Sequence, residues 1–461
     1  MLALCADIGS TFTKLAVFDL EADALVCTSQ APTTIEQDVT IGLREALRLV
    51  ERSVPELDSR LGHRVACSSA AGGLRMVTVG LVPDLTVEAA KRAALGAGAK
   101  VVGVFSHELT TRDVQELVDL RPDVLLLTGG TNGGNKQVII HNAGRIAASP
   151  LQCPVVVAGN RVAVDRVEEL LREGQAEVWV TENVMPEIGE LNIRPAQETI
   201  RDIFLQKIIE AKGVKKLERF FSGVLMPTPS AVLRAADLLS QGTPEESGWG
   251  DLMVVDVGGA TTDVISVGKG EPSRSGVVEK GLPEPVSKRT VEGDMGIRYN
   301  APTILEVAGL ERVRAAVGRD LPDFEELVCT LSTDVCQLPG ARFGDEIDIG
   351  LARTSVEIAT GRHAGSLETV YTPVGELDVQ YGKDLTAFKY LIGTGGVFAH
   401  GASPRTILEG ALFDRADPMC LRPTNPEMLI DEQYIMAAVG LLSDSFPTAA
   451  LRILKKYLRA V

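Results

Sequence analysis

Two stretches of this sequence share one arrangement: an apolar run, an Asp-x-Gly turn rich in hydroxyl side chains, and a second apolar run. The first occupies residues 2–18 around Asp7, and the second occupies residues 252–267 around Asp256. Each predicts a β-hairpin, because short apolar runs separated by Gly, Ser and Thr are typical of paired strands. One such hairpin could be an ordinary glycine turn. Two in the same chain indicate two similar halves that face each other across a cleft.

Both turns have the chemistry of a phosphate site. A glycine lets the backbone approach a bound group, and hydroxyl and amide groups can donate to phosphate oxygens beside a cation held by a carboxylate. We therefore predict that Asp7 and Asp256 are catalytic and hold Mg²⁺ through its waters, and that either could orient an attacking water. The predicted nucleotide contacts in the two turns are Gly9, Ser10, Thr11, Thr13, Lys14, Gly258, Gly259, Ala260, Thr261 and Thr262.

The composition is that of a folded protein and limits its partners. The chain has 461 residues, 45% of them hydrophobic and 23% charged, and this length favours two or three domains. Its formal net charge of -16 argues against nucleic acid and against an anionic membrane surface, because both attract positive patches. The 7 cysteines are scattered and form no C-x-x-C pair, so we expect most of them to be small buried side chains.

No segment of the sequence predicts export or membrane insertion. The N-terminus has no basic region before Asp7, so it is unlike a signal peptide. No apolar run approaches the roughly 20 residues that cross a bilayer. We expect a cytoplasmic protein.

Beyond the first hairpin, the periodicity predicts the order βββαβαβ for the first half. Helices and strands then alternate from residue 110 to 180, which predicts parallel strands, crossover helices and hence an α/β insertion. The glycine-rich loop 129–134 follows strand 124–127, at the strand end where α/β sheets bind ligands, although an ordinary glycine loop fits equally well. The predicted elements that complete the first half are strand 25–31, helix 35–54, strand 64–67, helix 86–97 and strand 101–105.

The sequence predicts two domains with a polar linker between them at 242–250. The first covers 1–241 with an α/β insertion at about 106–200, and the second covers 251–461 with an insertion at about 309–386. The other predicted features are helices 196–212 and 228–241, an acidic glycine loop at 292–296, a helix at 301–307, a strand ending in the glycines of 393–396, and closing helices 431–442 and 447–458.

The two hairpins resemble the phosphate 1 and phosphate 2 motifs of the superfamily that contains actin, sugar kinases and the seventy-kilodalton heat-shock chaperones. The turn at Gly393, Thr394, Gly395 and Gly396 resembles the adenosine motif of that superfamily, although a glycine turn set by backbone geometry alone would look the same. The resemblance implies the duplicated actin-like ATPase fold, which is an α/β fold of two βββαβαβα halves around a nucleotide cleft, here with α/β insertions. It implies ATP and Mg²⁺ as cofactors, and we add Asp294 to the candidate nucleotide contacts.

Two predicted helices carry small side chains, namely Ser230, Ala231, Ala235 and Ala236 in one, and Ala437, Ala438 and Gly440 in the other. They resemble connect 1 and connect 2, the crossing helices at the hinge of the superfamily, although alanine chosen for helix propensity would give the same pattern. In the heat-shock chaperones a Glu opens connect 1 and positions water, whereas Met226 stands at that place here. The sequence therefore leaves open which residue acts as the general base. We expect slow hydrolysis, which suits a nucleotide-timed switch.

Four longer stretches are more specific, namely SSAAGGLRM at 68–76, GGTNGGN at 129–135, MPTP at 226–229 and VEGDMG at 291–296. They resemble the MutL family found with adenosylcobalamin-dependent glutamate mutase, and the similarity extends over the whole chain. The resemblance implies a reactivating chaperone, a slow Mg-dependent ATPase that releases damaged cobalamin from an adenosylcobalamin-dependent mutase. Its implied partner is glutamate mutase or a related aminomutase.

Two other functions of the same ATPase core stay open. An activator of 2-hydroxyacyl-CoA dehydratases resembles this chain at the first hairpin but needs cysteines around an iron-sulfur cluster, which the scattered cysteines do not suggest. A small-molecule kinase would need a substrate-side acid that the sequence does not reveal. The chain is not itself a cobalamin mutase, because none of its 5 histidines lies in an Asp-x-His-x-x-Gly motif. The mutase served and the oligomeric state are left open.

Overall fold

The computed structural model describes residues 1–34, 38–55, 57–69, 74–97, 99–210, 220–221, 224–318, 321, 323–337, 345–373 and 375–461. Among these residues no helix is both long enough and apolar enough to cross a membrane. The features predicted from the sequence that fall partly outside the described residues are helix 35–54 at 35–37, stretch 68–76 at 70–73, helix 196–212 at 211–212, and the second insertion at 319–320, 322, 338–344 and 374.

The elements of secondary structure follow each other in a mixed α/β order. The strands are β1 (Leu2–Ile8), β2 (Phe12–Asp19), β3 (Ala24–Pro32), β4 (Leu61–Ser68), β5 (Arg75–Gly80), β6 (Lys100–Ser106), β7 (Val124–Leu127), β8 (Val155–Val157), β9 (Val178–Val180), β10 (Val224–Pro227), β11 (Leu252–Val257), β12 (Thr262–Val267), β13 (Val278–Lys280), β14 (Ser287–Glu292), β15 (Ser366–Thr372), β16 (Gly375–Tyr381), β17 (Tyr390–Thr394), β18 (Glu427–Asp431) and β19 (Leu458–Ala460). The helices are α1 (Val39–Ser53), α2 (Leu57–Arg60), α3 (Glu88–Gly96), α4 (Thr111–Asp119), α5 (Gln137–Ala147), α6 (Val164–Glu173), α7 (Arg194–Glu210), α8 (Thr228–Gln241), α9 (Ala301–Ala308), α10 (Leu310–Val317), α11 (Phe324–Thr333), α12 (Asp345–His363), α13 (Gly396–His400), α14 (Pro404–Leu408), α15 (Met436–Leu442) and α16 (Pro447–Tyr457).

The first sheet contains the first hairpin and has the strand order β10-β4-β1-β2-β3. Strand β2 is antiparallel to both β1 and β3, whereas β4 is parallel to β1 and β10 is parallel to β4. The register places Asp7 opposite Lys14 on β2 and opposite Cys67 on β4. Residues that pair directly across neighbouring strands share one face of a sheet. The side chains of Asp7, Lys14 and Cys67 therefore project from the same face.

The second sheet repeats this topology around the second hairpin. Its order is β14-β12-β11-β17-β18-β19. Strands β11, β12 and β14 are antiparallel neighbours, β17 is parallel to β11 and β18 is parallel to β17, as in the first sheet. The strand β19 is an additional antiparallel edge. The predicted duplicated α/β fold is confirmed, because both hairpins stand at the same position of the same strand order.

A third large sheet is entirely parallel and has the order β6-β5-β7-β8-β9. It belongs to a compact unit of Gly73–Glu210 with Gly281–Pro283, whereas the duplicated sheets belong to a unit of Met1–Gly72, Ala211–Lys280 and Glu284–Val461. The predicted run of parallel strands and crossover helices is confirmed. The insertion predicted at about 106–200 lies inside the smaller unit, which begins at Gly73. The predicted division of the chain near 242–250 stays a prediction.

The prediction that helix 86–97 and strand 101–105 continue the first half is wrong. The corresponding elements, α3 and β6, belong to the smaller unit, and the first sheet is completed by β10 instead. Strand β5, which pairs with both β6 and β7, was not predicted. A short apolar run does not reveal which sheet it joins, because strand partners are selected by packing over long distances in the sequence.

The two helices rich in small side chains, α8 and α15, pack together as predicted. Both contribute to one apolar core that also contains side chains of both duplicated sheets. Ala235 and Ala236 are fully buried in it. A Cβ atom on Gly440 of α15 would overlap the carbonyl oxygen of Ala231 on α8. The lack of a side chain at Gly440 therefore sets how closely the helices approach, while movement at this crossing stays a prediction.

The predicted helix 431–442 begins later than expected. Its first residue, Asp431, ends strand β18, and α15 begins at Met436. The Asp431 carboxylate accepts hydrogen bonds from the backbone N–H groups of Ile435 at 2.9 Å and Met436 at 2.8 Å. A carboxylate that caps the first free N–H groups of a helix is a start signal. The prediction therefore joined Asp431, at the end of strand β18, to the helix that begins five residues later.

We predict that Gly440→Ala destabilises the larger unit by roughly 1 to 3 kcal/mol, because the added methyl group overpacks the contact with Ala231. The measurement is thermal unfolding of the full chain followed by circular dichroism. The matched control is Gly144→Ala in helix α5, where an added Cβ meets no atom within 4 Å. The control should be neutral or slightly stabilising. A Gly440→Ala variant as stable as the unmodified chain would contradict the close packing.

Candidate functional site

The turns of the two hairpins have the same geometry. In the first, the Gly9 N–H donates to the Phe12 carbonyl oxygen at 3.1 Å, and in the second, the Gly258 N–H donates to the Thr261 carbonyl oxygen at 2.9 Å. Asp7 and Asp256 occupy equivalent positions, two residues before these glycines. The repeated motif in the sequence is therefore a repeated structure.

The two turns face each other. A Cβ atom built on Gly259 of the second turn would lie 3.2 Å from the hydroxyl oxygen of Thr11 in the first turn. Both turns belong to the larger compact unit. Backbone N–H groups and hydroxyls of two opposed turns can bind phosphate oxygens from two sides. The predicted opposition of the halves is present at the residues predicted to bind phosphate.

The Asp7 carboxylate is buried and held by several neighbours. One of its oxygens accepts a hydrogen bond from the Lys14 ammonium group at 3.2 Å, and the other accepts one from the Thr228 hydroxyl at 2.6 Å. The Cys67 thiol lies 3.7 Å from the same oxygen that Thr228 contacts. Burial and the nearby Asp7 raise the pKa of the Cys67 thiol. The thiol is therefore a neutral neighbour of Asp7.

Lys14 is covered by an aromatic ring. Its ammonium nitrogen lies 3.6 Å from the centre of the Tyr434 ring, which is a close cation–π contact. Burial acts to lower the pKa of Lys14, but Tyr434 and Asp7 outweigh it, and the pKa is raised. Asp7, Lys14 and Tyr434 all line a cavity of about 530 Å³, together with Gln30 and His400. Lys14 is therefore a charged group of this site.

Asp256 is half-buried, and its carboxylate differs from that of Asp7. Within the described part of the chain it accepts no hydrogen bond and forms no ion pair. Burial raises the pKa of Asp256 to about 7, and Asp263, Asp7 and Asp431 add to the effect while Lys14 opposes it. Its neighbour on β12, Asp263, is instead paired with the buried Arg289 at 2.5 Å. Asp256 is thus the carboxylate of the site that is left to bind a ligand.

The second turn is braced by the acidic glycine stretch that follows β14. The Thr262 hydroxyl donates to the Met295 carbonyl oxygen at 2.7 Å, and the Asn300 amide donates to the Ala260 carbonyl oxygen at 2.7 Å. The backbone N–H groups of Arg298 and Tyr299 both donate to the Gly259 carbonyl oxygen at 2.9 Å. The VEGDMG stretch at 291–296 and the residues after it therefore fix the shape of the second turn.

The glycine turn after β17 lies beside the second hairpin. Thr394 pairs with Asp256 in the parallel register, and its hydroxyl donates to the Asp431 carboxylate at 3.0 Å. Gly395 has a φ of +113°, where other residues are strained, and a Cβ there would overlap the Val257 carbonyl oxygen. A Cβ on Gly396 would meet no atom within 4 Å. This turn thus presents open backbone next to Asp256.

The structure does not bring every predicted residue into the site. Thr13 and Thr262 are fully buried, and because strand side chains alternate, Thr13 lies on the face opposite Lys14. Thr13 is bonded to the Thr33 hydroxyl at 3.0 Å. Asp294 is partly exposed and lies 3.7 Å from the Arg362 guanidinium. The predicted residues that the structure brings together at or next to the two turns are Asp7, Gly9, Ser10, Thr11, Lys14, Asp256, Gly258, Gly259, Ala260, Thr261, Gly393, Thr394, Gly395 and Gly396.

Sequence reasoning missed three residues of the site. Thr228 belongs to the MPTP stretch but had no assigned role, and Asp431 was placed in a helix. Met226, which stands where the heat-shock chaperones have Glu, is buried in the apolar core, so Thr228 rather than Met226 contacts Asp7. Tyr434 had no signal in the sequence, because it lies far along the chain from Lys14 and in a short loop.

The carboxylates of the site fit magnesium bound together with a nucleotide. Over the described ranges, no three His, Cys, Asp or Glu side chains cluster closely enough to hold a metal by themselves. Mg²⁺ usually keeps several waters and is bound by one or two carboxylates plus phosphate oxygens. Asp256, which has no hydrogen-bond or ion-pair partner among the described residues, and Asp7 are suited to that arrangement. Magnesium bound there would neutralise phosphate charge.

Comparisons of the sequence with known proteins find similarity over nearly the whole chain. A family model described as MutL protein matches residues 3–458. The protein MutL of Clostridium tetanomorphum is 46% identical over 455 residues, which is 99% of this chain and 98% of that relative.

Solved structures show only distant similarity. Component A of (R)-2-hydroxyglutaryl-CoA dehydratase from Acidaminococcus fermentans has 12% identity and a TM-score of 0.35, over 98% of this chain and 99% of that chain. A glycerol dehydratase reactivase has 8% identity and a TM-score of 0.32, over 96% of this chain and 99% of that chain. Similarity at this level carries no argument about activity. The match over nearly the whole chain and the 46% identity to a relative of the same length decide the family: this chain belongs to the MutL family.

Proposed function

We propose that this protein is an ATP-dependent reactivating chaperone for an adenosylcobalamin-dependent mutase of the glutamate mutase type. The observation that carries the ATPase part is the pair of equivalent turns whose residues Thr11 and Gly259 face each other. Two opposed turns with a carboxylate behind each suit a Mg-nucleotide, whose phosphates need donors on both sides. Membership in the MutL family supports a mutase as the partner.

The two carboxylates have different roles in this proposal. Asp256 holds Mg²⁺ through water, because its carboxylate has no competing partner among the described residues. Asp7 is fixed by Lys14 and Thr228, so its oxygens keep one position, which suits a group that orients water or metal-bound water. Gly395 and Gly396 offer backbone to the nucleoside. Hydrolysis is slow, because the apolar Met226 in β10, just before α8, supplies no acid or base.

The nucleotide acts through the relative position of the two duplicated halves. Each half supplies one turn, so a nucleotide that contacts both favours the arrangement in which they are close. Helices α8 and α15, which pack across Gly440, are the elements that link the halves. A switch of this kind can act on a mutase only if its ATP and ADP states bind the mutase with different affinity.

We predict that Asp7→Asn and Asp256→Asn each reduce ATPase activity by about 10²-fold or more while the fold is kept, because each change removes charge but little volume. Phosphate release measured with Mg-ATP, together with circular dichroism, provides the check. The matched control is Asp119→Asn, an exposed residue of α4 that accepts a hydrogen bond from Gln115. The control should keep full activity. Full activity in either site variant would exclude that carboxylate from catalysis.

We predict that Mg-ATP binding strengthens as the pH rises from about 6 to about 8. The raised pKa of Asp256, about 7, means that its carboxylate is mostly protonated at the lower pH and mostly ionised at the higher pH. Only the ionised form attracts Mg²⁺, so affinity should increase by roughly 10-fold across this range. Isothermal titration calorimetry of the unmodified chain and of Asp256→Asn gives the comparison. The titration of ATP itself is common to both, so equal pH profiles would contradict the prediction.

We predict that binding to an adenosylcobalamin mutase differs between Mg-ATP and Mg-ADP, and that ATP restores turnover to mutase inactivated with hydroxocobalamin once fresh coenzyme is present. Binding would be measured by surface plasmon resonance against several such mutases, glutamate mutase first. The Asp256→Asn variant serves as the control that lacks nucleotide action. If no mutase binds or recovers while a small molecule accepts phosphate from ATP, the protein is a kinase instead.

A further inference from the structure

Tyr434 lies in the larger unit, in the short connection between strand β18 and helix α15. Its ring covers the Lys14 ammonium group, whose nitrogen lies 3.6 Å from the ring centre. Lys14 in turn lies 3.2 Å from the Asp7 carboxylate. A cation over the face of a Tyr ring is attracted by the ring, and the attraction increases as water is excluded. The Lys14 ammonium group is therefore in contact with both the ring and the Asp7 carboxylate.

The backbone at Tyr434 has a conformation that is unusual for its residue type. Its φ is +53°, in the left-handed region that Gly, Asn and Asp occupy most easily. A bulky residue keeps such a conformation only when its surroundings hold it there. Here the backbone is held by a hydrogen bond from the Tyr434 N–H to the Asp431 carbonyl oxygen at 3.1 Å. The placement of the ring over Lys14 is thus imposed by the loop.

The loop that carries Tyr434 is anchored at both ends by one carboxylate. Asp431 accepts hydrogen bonds from the Thr394 hydroxyl at 3.0 Å and from the backbone N–H groups of Ile435 at 2.9 Å and Met436 at 2.8 Å. The first contact reaches the end of β17, beside Asp256, and the other two start helix α15. Tyr434 therefore moves together with the start of α15 and with the end of β17.

The contacts that begin at Tyr434 pass through both duplicated halves and lead back to the loop of Tyr434. Tyr434 contacts Lys14, Lys14 contacts Asp7, and Asp7 accepts the hydrogen bond from Thr228 at the start of α8. Helix α8 packs against α15 at Gly440, and α15 begins at the loop of Tyr434. A displacement of α15 relative to the first sheet would pull the ring from Lys14. The position of Lys14 is thereby sensitive to the arrangement of the helices.

We propose that Tyr434 is a positioning residue, whose ring holds Lys14 against Asp7 and releases it when helix α15 moves away from the first sheet. The inference rests on the proposed ATPase function for its effect on turnover, but the contact itself does not. In the proposed function Lys14 is the group that would contact the phosphates, and Tyr434 would act only through it. A change at the nucleotide site would then affect the crossing of α8 and α15, and the reverse, through the contact between Lys14 and Tyr434.

The first part of the test is a comparison of Tyr434→Phe and Tyr434→Leu, alone and combined with Lys14→Gln. The Phe variant keeps the aromatic face and should keep kcat within about 2-fold, whereas the Leu variant keeps apolar bulk without the face and should lose about 10-fold in kcat. In the Lys14→Gln background the Leu change should have no further effect, because Tyr434 acts through Lys14. Equal losses for Phe and Leu, or an undiminished loss in the Lys14→Gln background, would overturn the proposal.

The second part does not depend on turnover. Lys14 is labelled with acetic anhydride in the nucleotide-free chain, and the extent of modification is measured by mass spectrometry after digestion. Labelling of Lys14 should be slow in the unmodified chain and in Tyr434→Phe, and faster by about 10-fold in Tyr434→Leu. The exposed Lys269 serves as the internal reference.

The two parts separate the possible failures. If the unmodified chain neither binds nor hydrolyses ATP, the proposed function fails, and the labelling alone still decides whether Tyr434 holds Lys14. Unchanged Lys14 labelling in Tyr434→Leu would overturn the inference even in an active ATPase.

Discussion

The buried carboxylate of Asp7 is the interaction on which the rest of the site depends. A carboxylate at 7% exposure is costly unless it is paired and hydrogen-bonded. Its two nearest partners come from different elements, Lys14 from the next strand and Thr228 from the start of α8. Each partner has its own support, because Tyr434 covers Lys14 and the close packing at Gly440 fixes α8 against α15. The central charge is thus stabilised by contacts that reach both duplicated sheets.

The two turns share a geometry, and each is bonded within its own half of the unit. The second turn is bonded by backbone and side-chain groups of the residues 295–300. In the first turn the Thr11 carbonyl oxygen accepts a hydrogen bond from the Thr33 N–H at 2.8 Å. Asp7 and Lys14, on the strands that flank the first turn, also contact Thr228 at the start of α8 and Tyr434 in the loop before α15. A displacement of α8 or α15 would therefore change the surroundings of the first turn.

The parts of the fold that were predicted from the sequence are those encoded locally. Strand 124–127 and helix 228–241 have the predicted bounds, because apolar runs between turn residues mark their own ends. Thr228 and Tyr434 were missed as site residues, since Thr228 meets Asp7 across 221 positions of the chain and no local pattern records that. Thr13 was included because of its residue type, although strand alternation places it on the face opposite Lys14. Residue type suggests what a group can do, and only the register decides where it points.

The strand order of the first sheet has a mechanical consequence. The chain leaves the sheet through β4 and returns through β10, and these strands are parallel neighbours, with Val224 opposite Ala66 and Pro227 opposite Ser68. Residues Gly73–Glu210 of the smaller unit are thus inserted between two neighbouring strands of this sheet. Strand β4 pairs with the strand of Asp7, and β10 ends one residue before Thr228. A load applied to Gly73–Glu210, as by a bound protein, would therefore be transmitted through β4 and β10 to the two elements that contact Asp7 from this side.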